Sequence, residues 1–406
     1  MPKSKSRFHP PLAMPNRCSD VPDTNSEHTA QLWEVVMTSR ASRKKEQMLK
    51  VQNTASIPES CLPSDADQTL EAGTTKNESS KLTLAEVSDP DFEQTILKAH
   101  GIEIIREMHP SKRHLLARVT KESDKTWESL SKLSMWQRRQ SSKLIADEHN
   151  FMSAHSCNES LYKLYALSSI FLAEPQNLSL LDEPRWVPAL LVEFVSQPPK
   201  PTLKIPLLLH EANKRYEWDI RPDAAYWVSL QAFQDYDCEN VRLDVFTAEE
   251  RAICPYLTIE FKKNSQPKKV AENQIAVASA LALYNRYLLK CEALAKTSRS
   301  GEISWSKEDE DALRHYCITF SASEWELWCT VPNSFSSWTG CNVYLLKTGR
   351  CVREAGVERL FEVLDGIHYW GMKTHGPSCK ADILRVQGVE DELEEGMEEL
   401  NCGSDD

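Results

Sequence analysis

Glycine is scarce in this chain, with 12 among 406 residues. No Walker A loop and no GxGxxG run occurs, and the GxSxG elbow is missing as well. These gaps remove phosphate-cradling glycine loops and the serine-hydrolase nucleophile elbow from consideration. Long apolar runs are lacking too. The longest, IAVASALALY, is about half of the roughly 20 residues that a membrane helix needs, so no membrane partner is expected. The N-terminal MPKSKSRFHPP is basic but has no apolar stretch behind it, which argues against a secretory signal. Twelve cysteines are present, yet none forms a CxxC pair or a Cys/His set at zinc spacing. That scatter fits reduced thiols of an intracellular protein, nuclear or cytoplasmic, rather than a disulfide scaffold. His109, His114, His368 and His375 are too irregularly spaced for a metal motif, and no internal repeat is visible.

What is present is charge, unevenly distributed. The formal net charge is −12, but the last stretch, VEDELEEGMEELNCGSDD, holds nine acidic residues and no basic one. The body of the chain is therefore only mildly acidic, and its overall sign does not exclude nucleic acid. Residues 1–88 contain two aromatics, Phe8 and Trp33, among abundant Ser, Thr, Pro and charge, a composition expected to stay mostly disordered. Arg43, Lys44 and Lys45 form a small basic cluster there, either an import signal or a solvated patch. Residues 89–180 read as helical, with ESLYKLYALSSIFL as the clearest amphipathic segment. Residues 181–375 alternate strands and helices, and 376–406 read as an acidic, disordered tail.

Within 181–375, ALLVEFV, RYEWDI, AYWVSLQAF, YLTIEFK, EWELWCTV and NVYLLKT have strand character. VERLFEVLDGIHYWG reads as a closing helix. The run Val270–Leu289 is helical, with Glu272, Ser279 and Arg286 marking a narrow wet stripe every seven residues. Ala271, Ala276, Ala278, Ala280 and Ala282 would let it lie close against a sheet. Trp325, Trp328 and Trp338 are expected to fill the core or a groove wall. The order of elements predicts a mixed α/β (α+β) fold, a mixed β-sheet core flanked by helices.

One strand carries the chemistry. In CPYLTIEFKK, Leu257, Ile259 and Phe261 line one face while Thr258, Glu260 and Lys262 line the other. Upstream, RPDAAYW sets Asp223 after Pro222 at the mouth of another strand. If the two strands pair, Asp223, Glu260 and Lys262 can meet at one end of the sheet. Two neighbouring carboxylates repel unless a divalent cation lies between them. Magnesium takes one or two carboxylates and completes its shell with water and phosphate oxygens. A lysine beside it can orient water or stabilise a phosphorane-like transition state. The carbonyl of Phe261 is placed to be a further ligand.

Pro222-Asp223 followed by Glu260-Phe261-Lys262 resembles the signature of the PD-(D/E)XK, restriction-endonuclease-like nuclease superfamily. RPDAAYW, CPYLTIEFK and NQIAVASALALYNRYL, with DFEQTILKAHGI and IHYWG, are together similar to a group of fungal domains of unknown function placed in that superfamily. The resemblance spans about residues 90–375. It implies a four-stranded mixed sheet and Mg²⁺- or Mn²⁺-dependent hydrolysis of phosphodiesters, with DNA ahead of RNA as partner. Asp223 and Glu260 would be metal ligands together with the Phe261 carbonyl, Lys262 the catalytic lysine and Gln274 an auxiliary catalytic contact. The sequence departs from the pattern in a long insertion, QDYDCENVRLDVFTAEERAI, and in the further acid, for which Glu159, Glu193 and Glu211 compete. Lys262, Lys263, Lys268 and Lys269 form a basic patch suited to phosphate, with a solvated loop as the plainer account. Against the nuclease stands a catalytically silent member that keeps the fold as a nucleic-acid-binding or protein-interaction module.

Overall fold

The computed structural model describes residues 83–118, 141–171, 186–190, 204–218, 220–233, 241, 245, 247–248, 252–262, 267–298 and 303–388. The expectations of disorder for 1–82 and for the acidic tail from 389 lie outside the described residues, as do the 43–45 basic cluster, Glu193, Lys263 and most of the insertion 234–253.

The strands in chain order are β1 (Thr83–Leu84), β2 (Ile102–Ile105), β3 (Trp186–Leu190), β4 (Lys214–Arg215), β5 (Ala224–Ser229), β6 (Thr247–Ala248), β7 (Ala252–Lys262), β8 (His315–Ser321), β9 (Glu324–Pro332) and β10 (Cys341–Arg350). The longer helices are α1 (Ser142–Ala154), α2 (Glu159–Ser169), α3 (Lys268–Thr297), α4 (Lys307–Ala312), α5 (Glu354–Trp370) and α6 (Gly376–Gln387). The main sheet runs β2-β10-β9-β8-β7-β5-β3, with β6 added beside β7. It is mixed: β2/β10 and β7/β8 are parallel, the other pairs antiparallel. The expected mixed sheet flanked by helices is found. At eight strands, however, it is larger than the four that the resemblance implied.

The helices start where local chemistry favours it. Ser141 and Asn158 accept the N–H groups of Leu144 and Leu161. Ser306 and Asp309 make a reciprocal capping box for α4. Helix α3 runs 30 residues without Gly or Pro and is rich in Ala and Leu, the best helix formers. It is the crossover between the parallel neighbours β7 and β8.

Two layers of side chains hold the sheet. Leu257, Ile259, Phe261, Tyr316, Ile318, Phe320, Trp325 and Leu327 pack with Val357, Leu360, Leu364 and Ile367 of α5. On the opposite face Ala225, Trp227, Cys317, Trp328 and Val343 pack with Ile275, Ala278 and Leu281 of α3. Each large side chain removed from water this way contributes roughly 1.5–3 kcal/mol before entropy is counted.

Several expectations need correction. Glu272, Ser279 and Arg286 are not a wet stripe, because all three are buried. Glu272 binds Arg106 Nε at 2.7 Å, Ser279 Oγ accepts from Thr330 Oγ1 at 2.8 Å, and Arg286 Nη2 reaches Asp382 Oδ2 at 2.5 Å. Partners from distant elements make the burial affordable. The segment expected to be helical contains β2, which follows the left-handed turn at Gly101. The ordered fold begins before residue 89, at β1, and passes residue 375 into α6, whose Cys379, Asp382 and Ile383 are buried. Of the described residues of RYEWDI only Arg215, at the end of β4, and an isolated bridge at Ile220 pair as strand, while AYWVSLQAF turns into a 3₁₀ helix at Leu230. Among the described residues no helix is long and apolar enough to cross a membrane.

Candidate functional site

Strand β5 pairs antiparallel with β7, Ala224 opposite Ile259. Extending that register by one residue sets Asp223 opposite Glu260, where side chains on paired strands lie roughly 5 Å apart at Cβ. In agreement, Asp223 Oδ2 accepts the backbone N–H of Phe261 at 2.7 Å. Because N–H and C=O of one residue in an antiparallel strand point to the same edge, the Phe261 carbonyl also faces this side. Pro222 needs no ladder partner at such a strand mouth.

Glu260 is buried, and its charge is costly there. Burial, then the nearby Asp223 charge, push its carboxyl up to about 7, against the opposing pull of Lys262. Lys262 Nζ binds Glu260 Oε1 at 2.7 Å, so the lysine turns toward the carboxylates. Lys163 of α2 caps the other acid, with Nζ 2.5 Å from Asp223 Oδ1. Two carboxylates and two ammonium groups thus form one compact quartet, each side chain between 6% and 22% exposed. Lys163 has no counterpart in the sequence pattern. It arrives from a helix 60 positions upstream, and no local spacing announces it.

Helix α3 closes the site from above. A cleft of about 150 Å³ is lined by Tyr216, Ile220, Pro222, Glu260, Gln274 and Val277, room for several waters. Gln274 Oε1 is buried and finds no hydrogen-bond partner. A second, wider cleft of about 520 Å³ starts at Lys262 and passes Lys268, Thr319, Ser321, Trp325 and Arg350. Lys268 and Lys269 of the basic patch are engaged with protein. Lys268 pairs with Glu326, while Lys269 donates to the Pro90 carbonyl at 2.8 Å and lies 3.6 Å from Glu93.

The donor set suits a hard cation with few protein ligands: two carboxylate groups, one main-chain carbonyl and one orphaned amide oxygen. It is not a dense cluster. Among the described residues no three His, Cys, Asp or Glu side chains are grouped to hold a metal, and neither Glu159, half-buried, nor Glu211, exposed, completes the pair. The chain matches no protein-family model and no curated protein.

Proposed function

We propose that the Asp223–Glu260–Lys262 end of the sheet is a divalent-metal-dependent phosphodiester hydrolase site, acting on nucleic acid, DNA ahead of RNA. The observation that carries the proposal is the meeting of Asp223 with the Glu260-Phe261-Lys262 strand end, with an unsatisfied Gln274 oxygen above it. Asp223, Glu260 and the Phe261 carbonyl would hold Mg²⁺ or Mn²⁺. Such an ion, when bound, supplies charge neutralisation on the phosphate and a more acidic water. Lys262 lines the wider cleft and bonds Glu260, which lines the narrower one, and it would donate toward the oxygen that carries developing charge. Without an ion, burial and Asp223 push the Glu260 carboxyl up to about 7; a bound cation would favour the carboxylate form in which Glu260 would serve as a ligand. Gln274 would orient a water through its free oxygen. Lys268 and Arg350 line the wider cleft paired with Glu326 and Glu324, and a phosphate backbone lying there would take over those two cations.

One observation favours the second reading, a silent module: each carboxylate already has a lysine of its own. Calorimetry with Mn²⁺ separates the two. Saturable binding by the wild type, lost in Asp223→Asn and in Glu260→Gln, is expected for the hydrolase. Lys262→Met should then retain Mn²⁺ and lose cleavage of a labelled oligonucleotide by about 100-fold or more, the size of one transition-state donor. No binding at millimolar Mn²⁺, with or without oligonucleotide, would leave the silent module.

A further inference from the structure

The opposite end of β7 holds a second cluster. The β5/β7 register jumps between Tyr226 and Val228, leaving Cys254, Pro255 and Tyr256 as a bulge. Bulges often re-aim side chains next to functional sites. Cys254 has a φ of +45, a left-handed conformation uncommon for a residue with a side chain. Its thiol and the thiol of Cys379 on α6 are close enough to bear on each other's proton. Cys379 Sγ is also 3.4 Å from His375 Nε2, which lies 3.1 Å from the Cys254 carbonyl. An Nε2–H donor satisfies both contacts, and the buried Nδ1 finds no hydrogen-bond partner.

Arg286 supplies the charge. It is buried, and its Nη2 carries the bonds to Ser378 Oγ at 2.8 Å and to Asp382 Oδ2, while Nε and Nη1 find no hydrogen-bond partner. A buried guanidinium with idle donors beside a thiol pair favours one sulfur as thiolate.

We propose that Cys254 and Cys379 are a redox-active dithiol, a modification site that closes to a disulfide between β7 and α6 on meeting a peroxide. Burial pushes the Cys379 thiol up, but Cys254, Arg286 and His375 outweigh it and leave it well below the ordinary thiol range. One proton remains on the pair. That proton resides on Cys254, whose thiol Cys379 and burial push well above the ordinary range; its transfer to Cys379 gives the half-buried Cys254 thiolate that meets the peroxide. That sulfur attacks one peroxide oxygen, the O–O bond breaks, and hydroxide leaves, giving a sulfenic acid on Cys254. Hydroxide takes the Cys379 proton, and the Cys379 thiolate attacks the sulfenic sulfur. The S–S bond forms as the S–O bond breaks, releasing a second hydroxide that is neutralised by solvent. Two thiols and one hydrogen peroxide become one disulfide and two waters, two electrons passing from sulfur to oxygen. Other buried thiols lack this setting: burial alone lifts Cys351 to about 12, and for Cys329, also about 12, burial dominates.

The test is peptide mapping without reductant of the full chain after treatment with equimolar hydrogen peroxide. A Cys254–Cys379 cross-linked peptide, loss of two titratable thiols per chain and recovery of both with dithiothreitol are expected. Cys254→Ser and Cys379→Ser should each abolish the cross-link. Unchanged thiols, overoxidation of either cysteine without a cross-link, or cross-links formed mainly elsewhere would overturn the proposal. The decisive readout uses the wild-type protein, so a variant that fails to fold does not blunt it.

Discussion

Glu260 stores a pH dependence that its neighbours do not remove. Its carboxyl titrates at about 7 in the fold, pushed up by burial first and by Asp223 second, against 4.5 for the free group. Between these values the folded protein keeps a proton that the unfolded chain has lost, so stability falls as pH rises from 4.5 to 7 and is level above. The shift corresponds to a penalty on the order of 3 kcal/mol. Glu260→Gln removes the ionising group. Its unfolding free energy relative to wild type should therefore rise by up to about 3 kcal/mol between pH 4.5 and pH 8, as followed by urea melts at each pH. A constant difference across that window would mean that Lys262 neutralises the group fully.

At the scale of elements, two glycines make one joint. Gly101 and Gly340 both have left-handed φ, +69 and +97, and a Cβ on Gly340 would stand 2.1 Å from the Gly101 carbonyl oxygen. That oxygen receives the Cys341 N–H at 3.0 Å, which starts the parallel pairing of β2 with β10. Gly340→Ala should cost about 2–4 kcal/mol through combined strain and overlap. Amide exchange in Ile102–Ile105 should accelerate before that of β7 and β8, and an unchanged exchange pattern would count against the joint. The sequence reveals some of these elements and hides others for physical reasons. Strand β7 is legible because its two faces differ, apolar at 257, 259 and 261 and polar at 258, 260 and 262. Strand β8 is hidden because His315–Phe320 is buried on both faces, and a centrally placed strand has no alternation to read. Asp223, Glu260 and Lys262 could be brought together from the sequence because pairing β5 with β7 follows from local patterns. Lys163 could not, since an amphipathic helix with an outward lysine is ordinary, and only the tertiary packing of α2 aims it at Asp223.

The whole molecule responds to acid through its buried histidines. Burial pushes His149 down to about 4, and burial together with the charge of His375 pushes His315 down to about 3. Folded-state values below the unfolded 6.5 mean that the unfolded chain takes up protons first. Stability contributed by the neutral rings is complete above 6.5 and is lost as pH falls through 4 and then 3. Glu260 acts in the other direction between 4.5 and 7 with a single proton, so the two histidines prevail. Urea midpoints should fall steadily from pH 6.5 to pH 4, and a flat profile would show that neither ring is held neutral. Helix α3 has a consequence of another kind. Along its length Glu272 meets Arg106, Ser279 meets Thr330, Arg286 meets Asp382, and Lys290 meets both Asp309 and Asp382. These contacts come from four separate parts of the chain, and together they work like the cuts of a key. One inserted residue between Glu272 and Arg286 would turn everything beyond it by about 100° and advance it by about 1.5 Å. Arg286 and Lys290 would then miss Asp382, so the helix can change composition at many positions but cannot change length within this span.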